Sequence, residues 1–403
     1  MKRIFQRYVE FIRQPDVARL LLVALLARMP VGMVGFAMLM FLREALGNFA
    51  LAGSAVGIHF IAMAAAAPVI GRIIDRHGPR TLLIVTGIVQ PIALLGILAC
   101  ANLRLPFAAI AACATLAGAF ATPITTLTRT SWRYRFESEE DRRTAFALDS
   151  VMIEINFTLG PAIVAGILAT LGAAVAFGFA IAVVVAAFLI FFASPALRYF
   201  RRSGPVARSL LGPLAEPRLV LLFAATFGNA LCYGLLEVGY PAYGTSLGLP
   251  ALAGILLAVN SLGSALGGAL FGGLHFKASV ERQFACVMAL MAVPVLLHAF
   301  VSTPLAFGVV AFLAGALIAP SIASQSVLVS RLAPSHYATE AFTWSSTFIV
   351  SGLGSGMALG GFLVETSTLA AVWVTGASVV GTMAAVAFVV TAPRAAKSAR
   401  AGP

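Results

Sequence analysis

Apolar runs of about twenty residues, repeated twelve times and separated by short polar loops, leave this chain very few folds. A hydrocarbon core about 30 Å thick is crossed by about 20 helical residues rising 1.5 Å each. Inside it every backbone polar group must find its partner within the segment, which selects helices. The runs fall at 19–42, 51–71, 80–102, 105–128, 144–169, 171–194, 218–244, 250–273, 282–301, 304–330, 337–363 and 367–391. They predict an all-α integral membrane protein with twelve transmembrane helices. With 403 residues, 60% hydrophobic and 10% charged, no soluble domain could hide so much apolar surface. A net charge of +12 raises nucleic acid as a partner. The cations, however, lie in short loops between apolar runs rather than on one face, so no nucleic-acid partner is expected.

Those same cations orient the chain. With the N-terminus inside, one side collects groups such as Lys2, Arg3, Arg7 and Arg13, then Arg72, Arg76 and Arg80, then Arg198, Arg201, Arg202 and Arg208, while the other receives Arg43 and Arg104. Lysine and arginine favour the cytoplasmic side, so both termini are predicted to be cytoplasmic, in an inner membrane with an anionic inner leaflet. Residues 1–18 read as a basic amphipathic lead-in, 19–194 as a six-helix half, 195–217 as a proline-bearing linker, 218–391 as a second half and 392–403 as a tail. Cys100, Cys113, Cys232 and Cys286 sit in apolar runs without metal-ligand spacing, so neither a metal site nor a disulfide framework is expected.

The halves repeat. Ala50-Leu-Ala-Gly53 recurs as Ala251-Leu-Ala-Gly254, Leu116-Ala-Gly-Ala119 with Pro123 recurs as Leu313-Ala-Gly-Ala316 with Pro320, and Gly160 falls against Gly356, at an offset drifting only between 196 and 201. Such a series in order points to duplication of a six-helix unit. Between the second and third apolar runs, Gly71 to Arg80 read as a tight charged loop with Asp75 set among Arg72, Arg76 and Arg80. The spacing Gly-x-x-x-Asp-Arg-x-Gly-x-Arg resembles the loop that joins the second and third helices of the major facilitator superfamily. The resemblance implies two pseudo-symmetric six-helix halves around a midplane site, and transport by alternating access. It assigns Gly71, Asp75, Arg76, Gly78 and Arg80 to a gating loop, with Arg129 as the expected partner of Asp75.

Farther on, Asn156-Phe-Thr-Leu-Gly160-Pro161 with Gly166 is similar to the Gly-x-x-x-Gly-Pro-x-x-Gly-Gly motif of proton-coupled drug antiporters. Asn156, Val164 and Ala165 stand at three of its glycine positions, and Ala114 stands where those antiporters carry a helix 4 arginine. Gly160, Pro161 and Gly166, with Gly352, Gly356 and Gly360 in the equivalent helix 11, are expected at the interface between halves, where small residues permit close contact.

Ionisable groups inside a span are costly and are candidates for function. Arg28 and Glu154 are predicted at a common depth and expected to pair, statically or as a switch that opens when Glu154 takes a proton. Asp149 lies nearer the edge, about 140° around the helix from Glu154, and is expected to meet Arg129 or Arg142. His59, Asn229, Tyr233, Glu237, Asn260 and Trp344 are candidates for a substrate cavity, with His59 and Asn260 at matched positions of the two halves. An interhelical hydrogen bond is the alternative for His59.

Few charges and many apolar and aromatic residues suit a lipophilic or amphipathic small molecule. No nucleophile constellation, phosphate-cradling loop or nucleotide-binding motif appears, so the chain is not expected to be an enzyme or to carry a cofactor. The expectation is a monomeric secondary transporter that exports its substrate in exchange for protons. The alternatives are uptake or facilitated diffusion of a small metabolite, and a non-transporting sensor or assembly factor on the same scaffold.

Overall fold

The computed structural model describes residues 11–199, 212–274, 277–333 and 338–391. Most of the lead-in and linker and all of the tail lie outside these residues, as do the side chains of Asp75, Arg76, Arg142 and Glu154. Regular structure among the described residues is helical throughout. Twelve stretches are long and apolar enough to cross a bilayer. In the first half they are span 1 (Val17–Leu46), span 2 (Phe49–Ile74), span 3 (Pro79–Asn102), span 4 (Phe107–Trp132), span 5 (Val151–Leu171) and span 6 (Ala173–Phe192). In the second they are span 7 (Pro217–Ser246), span 8 (Pro250–Gly272), span 9 (Val280–Leu297), span 10 (Pro304–Leu332), span 11 (Glu340–Thr366) and span 12 (Leu369–Phe388).

Successive spans run in opposite directions, so the loops alternate between two faces of the bundle. One carries Gly47, Gly172 and Gly248, and the other carries Gly78. Gly78 has φ of 85°, a conformation that glycine adopts without strain, and its N–H closes the span 2 helix on Ile74 O at 2.9 Å before Pro79 opens span 3.

Three spans are interrupted where the sequence predicts continuous helices. In span 1 the helix stops at Ala27 and restarts at Met29. Pro30 has no N–H for the preceding turn, and Val31 N–H turns instead to Arg28 O at 3.0 Å. Span 4 breaks between Ala119 and Ile124 around Pro123, and span 10 breaks between Gly315 and Ile318, three residues before Pro320. Gln90 of span 3 repairs the first of these breaks, its Oε1 accepting from both Thr122 N–H and Thr122 Oγ1 at 3.0 Å.

Packing repeats with the sequence. Span 1 lies against spans 5 and 6 as span 7 lies against spans 11 and 12, span 2 against span 4 as span 8 against span 10, and span 3 against span 6 as span 9 against span 12. Between halves, span 2 packs on span 11 and span 5 on span 8. A separate apolar cluster on the Gly78 side of the first half gathers Val17, Leu20, Ile74, Trp132, Phe136 and Phe191.

Candidate functional site

The interruption of span 1 places Arg28 at a helix break, 1% exposed, with its guanidinium directed at span 5. Nη1 donates to Asp149 Oδ1 at 2.6 Å and Nη2 to Thr125 O at 3.3 Å, a carbonyl in the first turn after the span 4 break. Asp149 is itself fully buried and accepts twice more, from Trp132 Nε1 at 3.2 Å and from Arg129 Nε at 3.2 Å. One carboxylate therefore joins the broken span 1, the second segment of span 4 and the long helix of span 5. Arg28 pairs with Asp149, while the side chain of Glu154, its expected partner, lies outside the described residues. The reason is where the helix begins. Ser138 caps it, its Oγ accepting from Asp141 N–H at 3.4 Å, and the helix starts at Glu139 rather than 144. That shift brings Asp149 to the depth of Arg28, about 15 Å from their helix starts. The expected meeting of Asp149 with Arg129 is present, although at a buried site rather than at the rim. The proposed bond between Asp75 and Arg129 competes with it, since Arg129 Nε is already engaged with Asp149.

His59 and Asn260 occupy equivalent places. His59 is 3% exposed beside the Ala114 backbone, with its Nδ1 buried and without a partner, while Asn260 Nδ2 donates to Ala311 O at 2.9 Å, which is the counterpart of Ala114 in the second repeat. A Cβ on Gly118 would collide with His59 O and one on Gly315 with Asn260 O, so the glycine lets each helix pair close there. Asn260 thus ties spans 7, 8 and 10 inside its own half, and His59 sits at the equivalent place in the first. His59→Asn is expected to behave as wild type, because asparagine stands at the equivalent position 260. His59→Leu is expected to lower the detergent melting temperature by an amount equivalent to about 1 kcal/mol, as one interhelical polar contact is worth.

On span 7, Asn229 Nδ2 donates to Tyr233 Oη at 2.7 Å and to Ser321 Oγ at 3.0 Å, and Tyr233 Oη and Ser321 Oγ share a bond of 2.6 Å beside the span 10 break. Glu237, one turn farther along, is partly exposed and has no hydrogen-bond or ion-pair partner among the described residues. Trp344 is 6.2 Å from Phe348, whose ring stacks on Phe223 of span 7 at 5.3 Å. This line of rings lies within the second half.

The expected interface glycines divide. Gly160 packs on Gly32 of span 1, Gly352 on Phe227 and Ala230, Gly356 on Leu231 and Gly234, and Gly360 on Val238 and Leu235, all inside their own halves. Gly166 has nothing within 4 Å of a built Cβ. Helical phase explains this, because positions four apart share the face toward spans 1 or 7. The cross-half contacts use the intervening residues. A Cβ at Gly57 would stand 2.6 Å from Gly354 O, one at Gly53 would stand 3.2 Å from Gly361 Cα, and one at Gly254 would stand 2.8 Å from Pro161 O. Two hydrogen bonds join them, Phe49 N–H to Glu365 Oε2 at 3.1 Å and Ser261 Oγ to Phe157 O at 3.0 Å. The contacts of Phe49, Gly53 and Gly57 lie on the Gly47 side of the bundle and that of Ser261 nearer its middle, so the halves are drawn together from that face inward. The stretch expected as a gating loop is instead helical to His77 and again from Pro79, leaving Gly78 as the turn between two helices; Gly71 is free of close neighbours and Arg80 lies 5.9 Å from the centre of the Phe192 ring.

Residues 20–348 match the sequence profile described as Major Facilitator Superfamily, which spans more than half of the chain. The chain belongs to this family. It is accordingly a multi-pass membrane transporter and not an enzyme. No curated protein matches the sequence. Among solved structures, the nucleoside transporter NupG superposes with a TM-score of 0.73 at 14% identity, covering 93% of this chain and 99% of that one. A bacterial homologue of the iron transporter ferroportin, in an inward-facing state, gives 0.72 at 16% identity, covering 93% and 98%. At these identities the likeness is one of major facilitator fold.

Proposed function

We propose that this major facilitator protein exports a lipophilic or amphipathic small molecule in exchange for protons, by alternating access across a cytoplasmic (inner) membrane. Both termini are then cytoplasmic, because the loops of the Gly78 face carry most of the arginines. The contacts at the Gly47 face fit a conformation closed toward the outside. The observation that carries the substrate class is how the polar side chains are spent. Asn260 and the Asn229–Tyr233–Ser321 group are largely occupied within the second half, and His59 is buried within the first. Apart from Glu237, few polar groups are left over among the described residues of the central spans, which suits an apolar body better than a sugar or phosphate. The Gly71–Arg80 stretch is assigned to the opposite conformation, in which Asp75 would approach the start of span 11 and close the Gly78 face.

The test is transport of a lipophilic reporter dye by purified protein in sealed vesicles. Dye is expected to move against an imposed proton gradient, and to equilibrate without accumulating when the gradient is collapsed. Dye flux that ignores the gradient would replace export with facilitated diffusion.

A further inference from the structure

Glu237 is the one acidic residue of the second half placed away from the ends of its spans. The other acids there, Glu216, Glu281, Glu340 and Glu365, and the cations Arg218, Lys277, Arg282 and Arg331, stand at or near helix ends. The carboxylate lies nine residues from the Ser246 end of span 7, about 14 Å in. A charge at that depth without a counter-ion is expensive. Across the cleft, Arg28 supplies none, since it is held by Asp149.

The position of Glu237 around the helix is informative. At about 100° per residue it stands about 80° from Asn229, which faces span 10, and about 60° from Gly234, which faces span 11. It therefore occupies the sector of span 7 between the directions of spans 10 and 11. Leu236, Val238 and Tyr240 are buried, whereas Glu237 and Tyr233, one turn apart, are both partly exposed. Asn229, 5% exposed and two turns along, has a buried Oδ1 with no partner. The stripe thus offers two acceptors without donors and an aromatic face. The other ionisable groups around it are Cys232, Tyr233 and Tyr240 on span 7, His298 behind Tyr240, and Arg28, Arg43, Glu44 and His59 on spans 1 and 2. Spans 8, 10, 11 and 12 bring no mid-span charge.

We propose that Glu237, with Tyr233 and Asn229, is the binding site for an organic cation, the positive charge meeting the carboxylate and the apolar body meeting the Tyr233 ring. A carboxylate and an aromatic face recognise such a ligand together, by charge and by cation–π attraction. A proton supplies the same compensation, so proton and cation compete for one carboxylate and each displaces the other. This inference rests on the exporter reading and narrows its substrate from lipophilic molecules to lipophilic cations.

The test is equilibrium binding of tetraphenylphosphonium to the purified full-length protein in detergent, with tetraphenylborate as a probe of equal shape and opposite charge. Wild type is expected to bind the cation saturably and the anion not at all. The affinity should fall as the pH is lowered, as protons come to occupy the carboxylate, although the probe itself cannot titrate. Glu237→Gln should lose saturable binding and its pH dependence with an unchanged melting temperature, and Glu237→Asp should retain part of both. If Glu237→Gln does not fold, Tyr233→Leu is measured instead and should weaken the cation by roughly threefold to tenfold. Equal binding of cation and anion, or undiminished binding in a folded Glu237→Gln protein, overturns the proposal. Because binding is read without transport, cation binding in a protein that moves no dye would remove the exporter reading and leave this site. Proton-driven flux of a neutral dye without cation binding would do the reverse.

Discussion

Replacing Asp149 with alanine is expected to cost about 3–5 kcal/mol of stability, because it strands the buried Arg28 guanidinium. After the change, the contact left to Arg28 is the Thr125 carbonyl at 3.3 Å, while Trp132 Nε1 loses its acceptor. Most of the loss belongs to Arg28, since the Arg129 side chain is 50% exposed and can turn to water. The pair Arg28→Met with Asp149→Leu removes both charges and should regain much of the stability, so the two sites are strongly non-additive. Thermal unfolding of the four proteins in detergent measures the cycle. An Asp149→Ala protein as stable as wild type would show that the carboxylate bears none of the packing assigned to it.

The second large effect is expected at the contact between halves. Gly57→Leu places a bulky side chain against Gly354 O and Ala358, at a point where a Cβ alone stands 2.6 Å from the backbone. Each half keeps its internal packing, so the protein should fold, but the Gly47 face can no longer close and transport should be abolished. A cysteine on the Gly47 side of the cleft should then react with a membrane-impermeant thiol reagent far faster than in the unsubstituted background. Gly356→Leu forms the contrast. Gly356 meets Leu231 and Gly234 inside the second half, so its replacement should impair folding rather than gating. Normal transport by a folded Gly57→Leu protein would mean that this approach is not part of the cycle.

The number of spans, their order and the repeat were legible in the sequence because each rests on a long signal. A run of twenty apolar residues tolerates errors of several positions, and the register that set His59 against Asn260 reappears as matched places beside Ala114 and Ala311. The pairing of Arg28 was not legible, because depth depends on where a helix begins. At Ser138 a polar cap extends the span 5 helix well beyond its apolar part, and that extension decides which carboxylate meets the arginine. The interface was legible only in part, for a related reason: Pro161, Gly354 and Gly361 meet the other half, whereas Gly160, Gly352, Gly356 and Gly360 do not. Glycine spacing shows that one face of a helix is small, but not whether that face meets a neighbour in the same half or in the other. Helix breaks were equally hidden. Pro30 and Pro123 accompany interruptions, whereas Pro68, Pro91, Pro161, Pro241 and Pro294 lie inside continuous helices.

The staple between Arg28 and Asp149 also sets an order for biogenesis. Arg28 is made 121 residues before its partner. At about 5–20 residues per second, the first span waits about 6–24 s for span 5 to emerge. During that interval its central arginine carries an insertion penalty of about 2.5–3.5 kcal/mol that its own helix must bear. The apolar residues of this 30-residue span offset that penalty, so the span can insert alone, but its arginine stays without its carboxylate until the fifth is made.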